Sequence, residues 1–248
     1  MNIALLLAGG QGKRMGSSIP KQFYTVLGKP VIFYTLEVFQ EHPSIDRIAV
    51  VVIPSWKDEV WHYKRKYGFN KVTDVIDGST SCQDSIRNGI LALNCSDDDT
   101  VMLAMSVCPL ISHDVIDDSL RVCKQYGNAI AGAESIYNLS PICDDLWSSS
   151  YIRKKEYVTL NMPWTFPYWK LKWAYSLPSG DNEESEYTTT LMVDLGEKLY
   201  FSKDTQANKL KLTTYDDVDM LEGYLLLQEL RKGNIGATSK IRMSREGL

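Results

Sequence analysis

The run Ile3-Ala4-Leu5-Leu6-Leu7-Ala8 constrains this chain most. It is wholly aliphatic, and it stops at Gly9-Gly10, with another glycine at Gly12. A short aliphatic run without polar interruption is a strand covered on both faces, as in a parallel sheet between helices. Glycines just past such a strand let the chain turn sharply and bring backbone N–H groups against a ligand with no Cβ in the way. Arg14 and Lys21 follow closely and supply fixed positive charge where phosphates would lie. By itself Gly-Gly-x-Gly is equally an ordinary strand-to-helix turn with a solvated basic face. Other nucleotide loops fit worse. The spacing Gly10-x-Gly12-x-x-x-Gly16 misses the dinucleotide pattern by one residue, and no Gly-Lys-Ser/Thr ending is present.

The chain then repeats a strand–helix rhythm. Apolar spacing predicts a helix over 31–40, a strand over 47–53, and a helix over 56–67 capped by Ser55. A strand over 72–76, a turn at 77–81 and a helix over 82–94 come next. They are followed by a strand over 100–105, a helix from a Ser112 cap to 126, and a strand over 128–133. This alternation predicts an α/β fold with a doubly wound, mostly parallel sheet. Residues 134–160 break the rhythm: they have no helical period and hold Pro141, a Ser148-Ser149-Ser150 run and Arg153-Lys154-Lys155. Long irregular stretches in compact domains are functional or disordered. Helices over 167–176 and near 187–195, short strands over 198–201 and 210–212, and a last helix over 216–232 ended by Gly233 complete the reading. The expectation is a single domain over 1–233 and a loose polar tail over 234–248.

A net charge of −4 argues against a nucleic-acid or membrane surface, so cations for an anionic ligand must be concentrated locally. The five cysteines are scattered, without a Cys-x-x-Cys pair. Neither a zinc site nor a disulfide framework is indicated. With no signal peptide and no long apolar span, the expected location is cytoplasmic.

The segment Pro20-Lys21-Gln22-Phe23 distinguishes among the readings of the glycine loop. With Leu7-Ala8-Gly9-Gly10-Gln11-Gly12-Lys13-Arg14-Met15-Gly16 before it, the opening of the chain resembles the polyol-phosphate cytidylyltransferases. These are the ribitol-5-phosphate and methylerythritol-4-phosphate enzymes, and the resemblance is close over residues 1–55. It implies one Rossmann-like nucleotide-binding domain with a β-arm inserted at about 134–160 that embraces a second subunit, giving a homodimer. Trp147, Tyr151, Tyr157, Trp164, Tyr168 and Trp169 would suit that interface, or equally would cover a small core. It also implies CTP, a small phosphorylated polyol and Mg²⁺ as ligands, with pyrophosphate released. Leu7, Ala8, Gly9, Gly10, Gln11, Gly12, Gly78, Ser79, Thr80 and Ser85 would contact the nucleotide. Arg14, Lys21 and Lys211 would be the catalytic cations, and Lys154 and Lys211 would hold the acceptor phosphate. Ribitol 5-phosphate is the preferred acceptor and methylerythritol 4-phosphate the next, because Pro54-Ser55-Trp56 resembles the ribitol branch more. A role in surface-polysaccharide synthesis follows by analogy.

Later segments depart from the family's pattern. Gly78-Ser79-Thr80-Ser81-Cys82-Gln83-Asp84-Ser85 keeps Gly78 and Ser85 of Gly-Gly-x-x-Arg-x-x-Ser, but Cys82 replaces the arginine. Ala104-Met105-Ser106-Val107-Cys108-Pro109 stands where the family has His-Asp-Ala-x-Arg-Pro. Met105 thus replaces the aspartate that holds Mg²⁺, and a thioether is too soft to substitute for it. His113-Asp114 falls in the next helix's first turn, where Asp114 is a favourable charge rather than a ligand. Asp84 and Asp194 are other acids that would be available to a metal. Asn161-Met162-Pro163-Trp164-Thr165-Phe166 resembles Gln-Thr-Pro-Gln-x-Phe, and Lys154 takes the place of an arginine that grips the acceptor phosphate. Leu210-Lys211-Leu212-Thr213-Thr214 resembles the start of Ile-Lys-Ile-Thr. Two alternatives stand beside the cytidylyltransferase reading. One is a catalytically impaired homologue acting as a nucleotide-binding or assembly partner; the other is a nucleotidyltransferase with a different acceptor.

Overall fold

The computed structural model describes residues 1–10, 12, 19–177 and 187–232. The tail at 234–248 and the loop residues Gln11 and Arg14 therefore lie outside the described residues. Strand β1 (Asn2–Ala8) leads to a small hairpin, β2 (Thr25–Val26) and β3 (Lys29–Pro30). Helix α1 (Val31–Glu41), β4 (Arg47–Val52), α2 (Lys57–Tyr67) and β5 (Val72–Asp77) follow. Next come α3 (Cys82–Ala92), β6 (Thr100–Met105), α4 (His113–Tyr126) and β7 (Ala129–Glu134). The chain continues through β8 (Val158–Pro167), α5 (Tyr168–Ser176), α6 (Thr188–Asp194), β9 (Phe201–Ser202) and α7 (Tyr215–Arg231).

The main sheet runs β5-β4-β1-β6-β8-β7-β9. β1 is parallel to β4 on one side and to β6 on the other, in unbroken register. Its side chains alternate between two cores, as a pleated strand requires. Ala4, Leu6 and Ala8 join Leu36, Val60 and Ile116 beneath α1, α2 and α4. Ile3, Leu5 and Leu7 join Ile86, Ile90 and Leu171 beneath α3 and α5. Burying an aliphatic side chain of this size contributes about 1.5–3 kcal/mol, so the first strand anchors both layers. A third cluster, Val26, Val107, Leu212, Val218 and Leu221, seats α7 against the loop after β6.

The expected doubly wound, mostly parallel α/β sheet is present, with one addition. β8 pairs antiparallel with both β6 and β7. Pro163 disguises it, because a proline inside a run argues against a central strand. The register shift between Ile130 and Gly132 leaves 161–163 outside the paired positions, so the missing N–H interrupts no ladder bond.

Other expectations are corrected. Residues 210–212 form no strand; Leu212 makes one backbone bond, its N–H donating to the Val107 carbonyl at 3.0 Å. The short strand expected at 198–201 lies at Phe201–Ser202. Ser55 sits inside a 3-10 turn, Pro54–Trp56, and caps nothing. Ser112 occupies the cap position of α4, but its hydroxyl is buried without a partner, and the turn is closed by backbone bonds to its carbonyl. Trp164 and Tyr168 are core residues, whereas Trp147, Tyr151, Tyr157 and Trp169 are exposed. Between β7 and β8 the chain projects as an irregular hairpin, bridged at Leu139 to Ile152 and at Cys143 to Trp147.

Two features of the core give measurable expectations. Gly89 lets α3 lie tight on the sheet: a Cβ there would come 2.7 Å from Val51 and 2.9 Å from Leu5. Gly89→Ala is expected to destabilise the fold by about 1–3 kcal/mol through overpacking, read as a lower urea midpoint; an unchanged midpoint would show that the layer has slack. His42 is fully buried, its Nδ1 accepting from Ser44 N–H and its Nε2 lying 3.4 Å from Asp117. Burial holds its pKa below the ordinary histidine value, helped by His113 and Lys71 and opposed by Asp117. The unfolded chain therefore takes up the proton more readily, so His42 contributes stability above about pH 6.5 that is lost as the pH falls toward its folded pKa. His42→Asn, which can keep the Ser44 bond, is expected to flatten that slope in denaturation measured on either side of pH 6.5.

Candidate active site

At the carboxyl end of β1 the sheet changes direction: the chain winds out through β4 to β5, then returns past β1 to β6. Crevices of open α/β sheets form at such switch points. Here the crevice is a cavity of about 420 Å³ lined by Leu7, Ala8, Gly9, Gly10 and Gly12 after β1. Lys21 and Gln22, Ser79 to Cys82, Ser85, Met105 to Val107, Lys211 and Thr213 complete its wall. This size suits a small-molecule ligand.

Its floor is built from carbonyls at and just past the end of β1. The Leu7 carbonyl accepts from the Ser106 N–H at 3.1 Å and from the Ser106 hydroxyl at 3.0 Å. Gln22 is 1% exposed, and its Nε2 donates to the Ala8 carbonyl at 2.6 Å and the Gly10 carbonyl at 3.0 Å. A single side chain thus clamps both ends of the glycine turn. Gly12 adopts φ +66°, and a Cβ there would lie 3.1 Å from the Lys21 backbone nitrogen. Only glycine meets both demands at low cost. The 3-10 turn Lys21–Phe23 is anchored by Phe23, which stacks on Trp56 with centroids 4.4 Å apart. Lys21 Nζ then donates to the Leu212 carbonyl at 2.7 Å. Because Leu212 is itself bonded to Val107, this joins the basic turn, the loop after β6 and the Lys211 segment across the cavity.

The opposite wall is the start of α3. Ser81 caps the helix, its hydroxyl accepting from Asp84 N–H at 2.9 Å and donating to the Asp84 carboxylate at 2.7 Å. Ser85 Oγ accepts from Ser79 N–H at 2.9 Å and donates to the Ser81 carbonyl at 2.8 Å. The Ser85 hydroxyl is therefore engaged in shaping the 79–81 turn. The positive end of α3 faces the cavity beside Thr80 and Cys82, where an anion is favoured.

The cavity gathers Leu7, Ala8, Gly9, Gly10, Gly12, Lys21, Ser79, Thr80, Ser85 and Lys211 of the residues expected from sequence. Gly78 stands behind the turn, its N–H donating to the Val52 carbonyl at 2.7 Å. Lys154 is not in this wall; it lies on the projecting hairpin and donates to the Ile136 carbonyl at 3.0 Å. Sequence reasoning gave no role to Gln22, Ser106 or Thr213. The signal for Gln22 was its place beside Lys21 in the Pro-Lys-Gln-Phe segment.

The charge here is basic and soft-lined. Burial raises the Cys82 thiol pKa against the pull of Lys211, and pushes that of Cys108 up to about 11. Both are neutral thiols near pH 7. No Asp or Glu lines the cavity among the described residues, and the sequence from Gln11 to Ser18 contains none. Asp84 is tied to Ser81, while Asp114 pairs with Lys203 at 2.8 Å on the outer surface. Among the described residues no group of three His, Cys, Asp or Glu side chains is placed to hold a metal. Mg²⁺ is held through carboxylates and phosphate oxygens; Met105 offers a thioether instead. The described residues that line this cavity do not fit Mg²⁺.

The clamp is testable. Gln22→Leu leaves two loop carbonyls without their donor and is expected to cost about 1–3 kcal/mol. Gln22→Glu, near-isosteric but without the amide donor, should lower the urea midpoint comparably. A midpoint unchanged in both variants would show that the glycine turn holds itself.

Comparison with known proteins fits this geometry. The family model for 2-C-methyl-D-erythritol 4-phosphate cytidylyltransferase (IspD) matches residues 2–226. A ribitol-5-phosphate cytidylyltransferase of Lacticaseibacillus paracasei is 39% identical over 235 residues, covering 93% of this chain and all (100%) of that protein. A 2-C-methyl-D-erythritol 4-phosphate cytidylyltransferase of Clostridium novyi is 29% identical over 228 residues, covering 90% of this chain and 96% of the relative. Among solved structures, the 4-diphosphocytidyl-2C-methyl-D-erythritol synthase of Anaerococcus prevotii superimposes with a TM-score of 0.75 at 21% identity, covering 91% of this chain and 98% of that one. The Francisella tularensis 2-C-methyl-D-erythritol 4-phosphate cytidylyltransferase gives 0.72 at 20% identity, covering 90% and 98%. A switch-point cavity walled by a glycine turn and two lysines, on a chain matched nearly end to end, places this protein in the IspD cytidylyltransferase family.

Proposed function

We propose that this protein transfers the cytidylyl group of CTP to the phosphate of a polyol phosphate, with ribitol 5-phosphate as its acceptor. The observation that carries this reading is the convergence of Lys21 and Lys211, from opposite ends of the chain, on a cavity floored by glycine backbone. The higher identity to the ribitol-5-phosphate relative, 39% against 29%, favours ribitol over methylerythritol as the polyol.

The reaction is an in-line displacement. An oxygen of the acceptor phosphate forms a bond to the α-phosphorus of CTP, the bond from that phosphorus to the bridging oxygen breaks, and pyrophosphate leaves with the electron pair. The attacking oxygen is already anionic, so no base is required. Positioning and charge neutralisation supply the catalysis. Lys21, bound to the Leu212 carbonyl, is set to meet the triphosphate, and Arg14 is given the same role from the sequence motif alone. Lys211 orients the attacking phosphate. The glycine turn and the 79–81 turn hold the cytidine.

The hairpin between β7 and β8 would serve a homodimer. Ile142, Leu146, Trp147 and Tyr151 on it are 71%, 87%, 52% and 73% exposed, an apolar surface of the kind that marks an interface. In such a dimer Lys154 would be offered to an acceptor phosphate at the neighbouring subunit's cavity. No described helix is long and apolar enough to cross a membrane, which accords with work in the cytoplasm, where the product would feed surface-polymer assembly.

A second reading has one observation in its favour. Met105 and Cys108 replace charged residues of the family's pattern in and beside the cavity, as expected of a homologue that binds nucleotide without turning it over. Pyrophosphate release from CTP and ribitol 5-phosphate separates the two. Wild-type protein is expected to release it, and Lys21→Ala or Lys211→Ala to slow release by about 10²–10³-fold, the effect of losing one charge-stabilising donor. CTP binding with no release from the wild type would favour the second reading. Wild-type rates in Lys21→Ala would remove that lysine from the chemistry.

A further inference from the structure

The cavity disagrees with the divalent ion that its family's pattern implies. Lys21 and Lys211 bring ammonium groups; apart from them the described wall offers backbone, hydroxyls, one clamped amide and the two sulfurs of Cys82 and Met105. We infer that this site takes the nucleoside triphosphate as the metal-free anion, so that Mg²⁺ weakens nucleotide binding instead of supporting it. The inference rests on reading the cavity as a triphosphate site.

The argument is one of charge and donor type. A Mg²⁺ ion on a triphosphate keeps a nearly ideal octahedron of hard oxygens, and proteins normally hold it with one or two carboxylates. Hydroxyls carry no charge to attract it, and thiols and thioethers are poor ligands for it. The ion would also cancel part of the negative charge that the two lysines bind. In addition it would stand near two ammonium groups with no carboxylate among the described lining residues to offset them. Val107 lines that wall and Leu212 is buried beside it, so part of the surroundings is apolar.

Isothermal titration of CTP into the full-length protein tests this, once in EDTA and once in millimolar Mg²⁺. The expected result is binding in EDTA that weakens about tenfold or more in Mg²⁺. Met105→Asp, which places a hard carboxylate in the wall, is expected to reverse the order and bind CTP more tightly with Mg²⁺. The wild-type pair of titrations decides by itself should that variant not fold. Equal or tighter wild-type binding in Mg²⁺ would overturn the inference and leave the triphosphate site standing. No CTP binding in either buffer would overturn the reading of the cavity itself, a different and distinguishable failure.

Discussion

The carbonyls at the end of the central strand are bonded to two other segments, and the rest of the site follows from how they are paired. Within the sheet β1 gives and receives bonds with β4 and β6, as far as Ala8 on the β4 side and Leu7 on the β6 side. At such an end a buried carbonyl without a donor costs roughly 1–3 kcal/mol. Ser106 supplies Leu7 with two donors, and Gln22 supplies Ala8 and Gly10. Each donor arrives on a different segment. Satisfying the strand end therefore pins the loop after β6 and the basic turn in fixed relation to the glycines. Lys21 is delivered to the cavity by the same backbone turn that presents Gln22, and it binds the segment that carries Lys211. Cavity wall and charge placement share one hydrogen-bond network.

This accounts for what was legible in the sequence. β1, β4 and β6 are aliphatic on both faces, so their burial and parallel pairing could be read directly. The turn over 77–81 follows from local chemistry, since Ser and Asp bond to nearby backbone at a helix start; the caps expected at Ser55 and Ser112 do not form, and Ser81 caps α3 instead. β8 was hidden because its proline falls in the bulge, a long-range fact about register that no local window contains. The 210–212 segment looked like a strand from its alternation. It lacks a neighbouring strand, and the Asp217 carboxylate holds its end instead, accepting from the N–H groups of Thr213 and Thr214. Ser85 was identified as a contact through its hydroxyl, but which partner that hydroxyl takes depends on the shape of the 79–81 turn. Gln22 was visible as a letter in a motif; its work became apparent only from its bonds to the Ala8 and Gly10 carbonyls.

The replacements at Met105, Cys108 and Cys82 exchange charged groups of the family's pattern for soft, uncharged ones. Met105 packs into the clusters on both sides of it, and Cys108 is buried beside Val107 and Leu110. Lys21 and Lys211 are half-buried beside this partly apolar wall. The same replacements that remove hard ligands for a cation leave these two lysines as the charged groups among the described lining residues. Under the proposed function, phosphate binding would then depend on few side chains.

That dependence also explains why the lysines are held as they are. An ammonium on a flexible four-carbon stem loses considerable rotamer entropy when it is fixed on a ligand. Lys21 has given up part of that freedom already, because its Nζ is bonded to the Leu212 carbonyl at 2.7 Å. Arginine's bidentate geometry is not available from Lys154 or Lys211, so backbone anchoring has to supply the direction that a guanidinium plane would. The carbonyl of Leu212 is free to accept because 210–212 is not part of a sheet. An irregular segment at this edge, which local alternation alone would have made a strand, leaves an acceptor in place for the lysine that the strand end delivers.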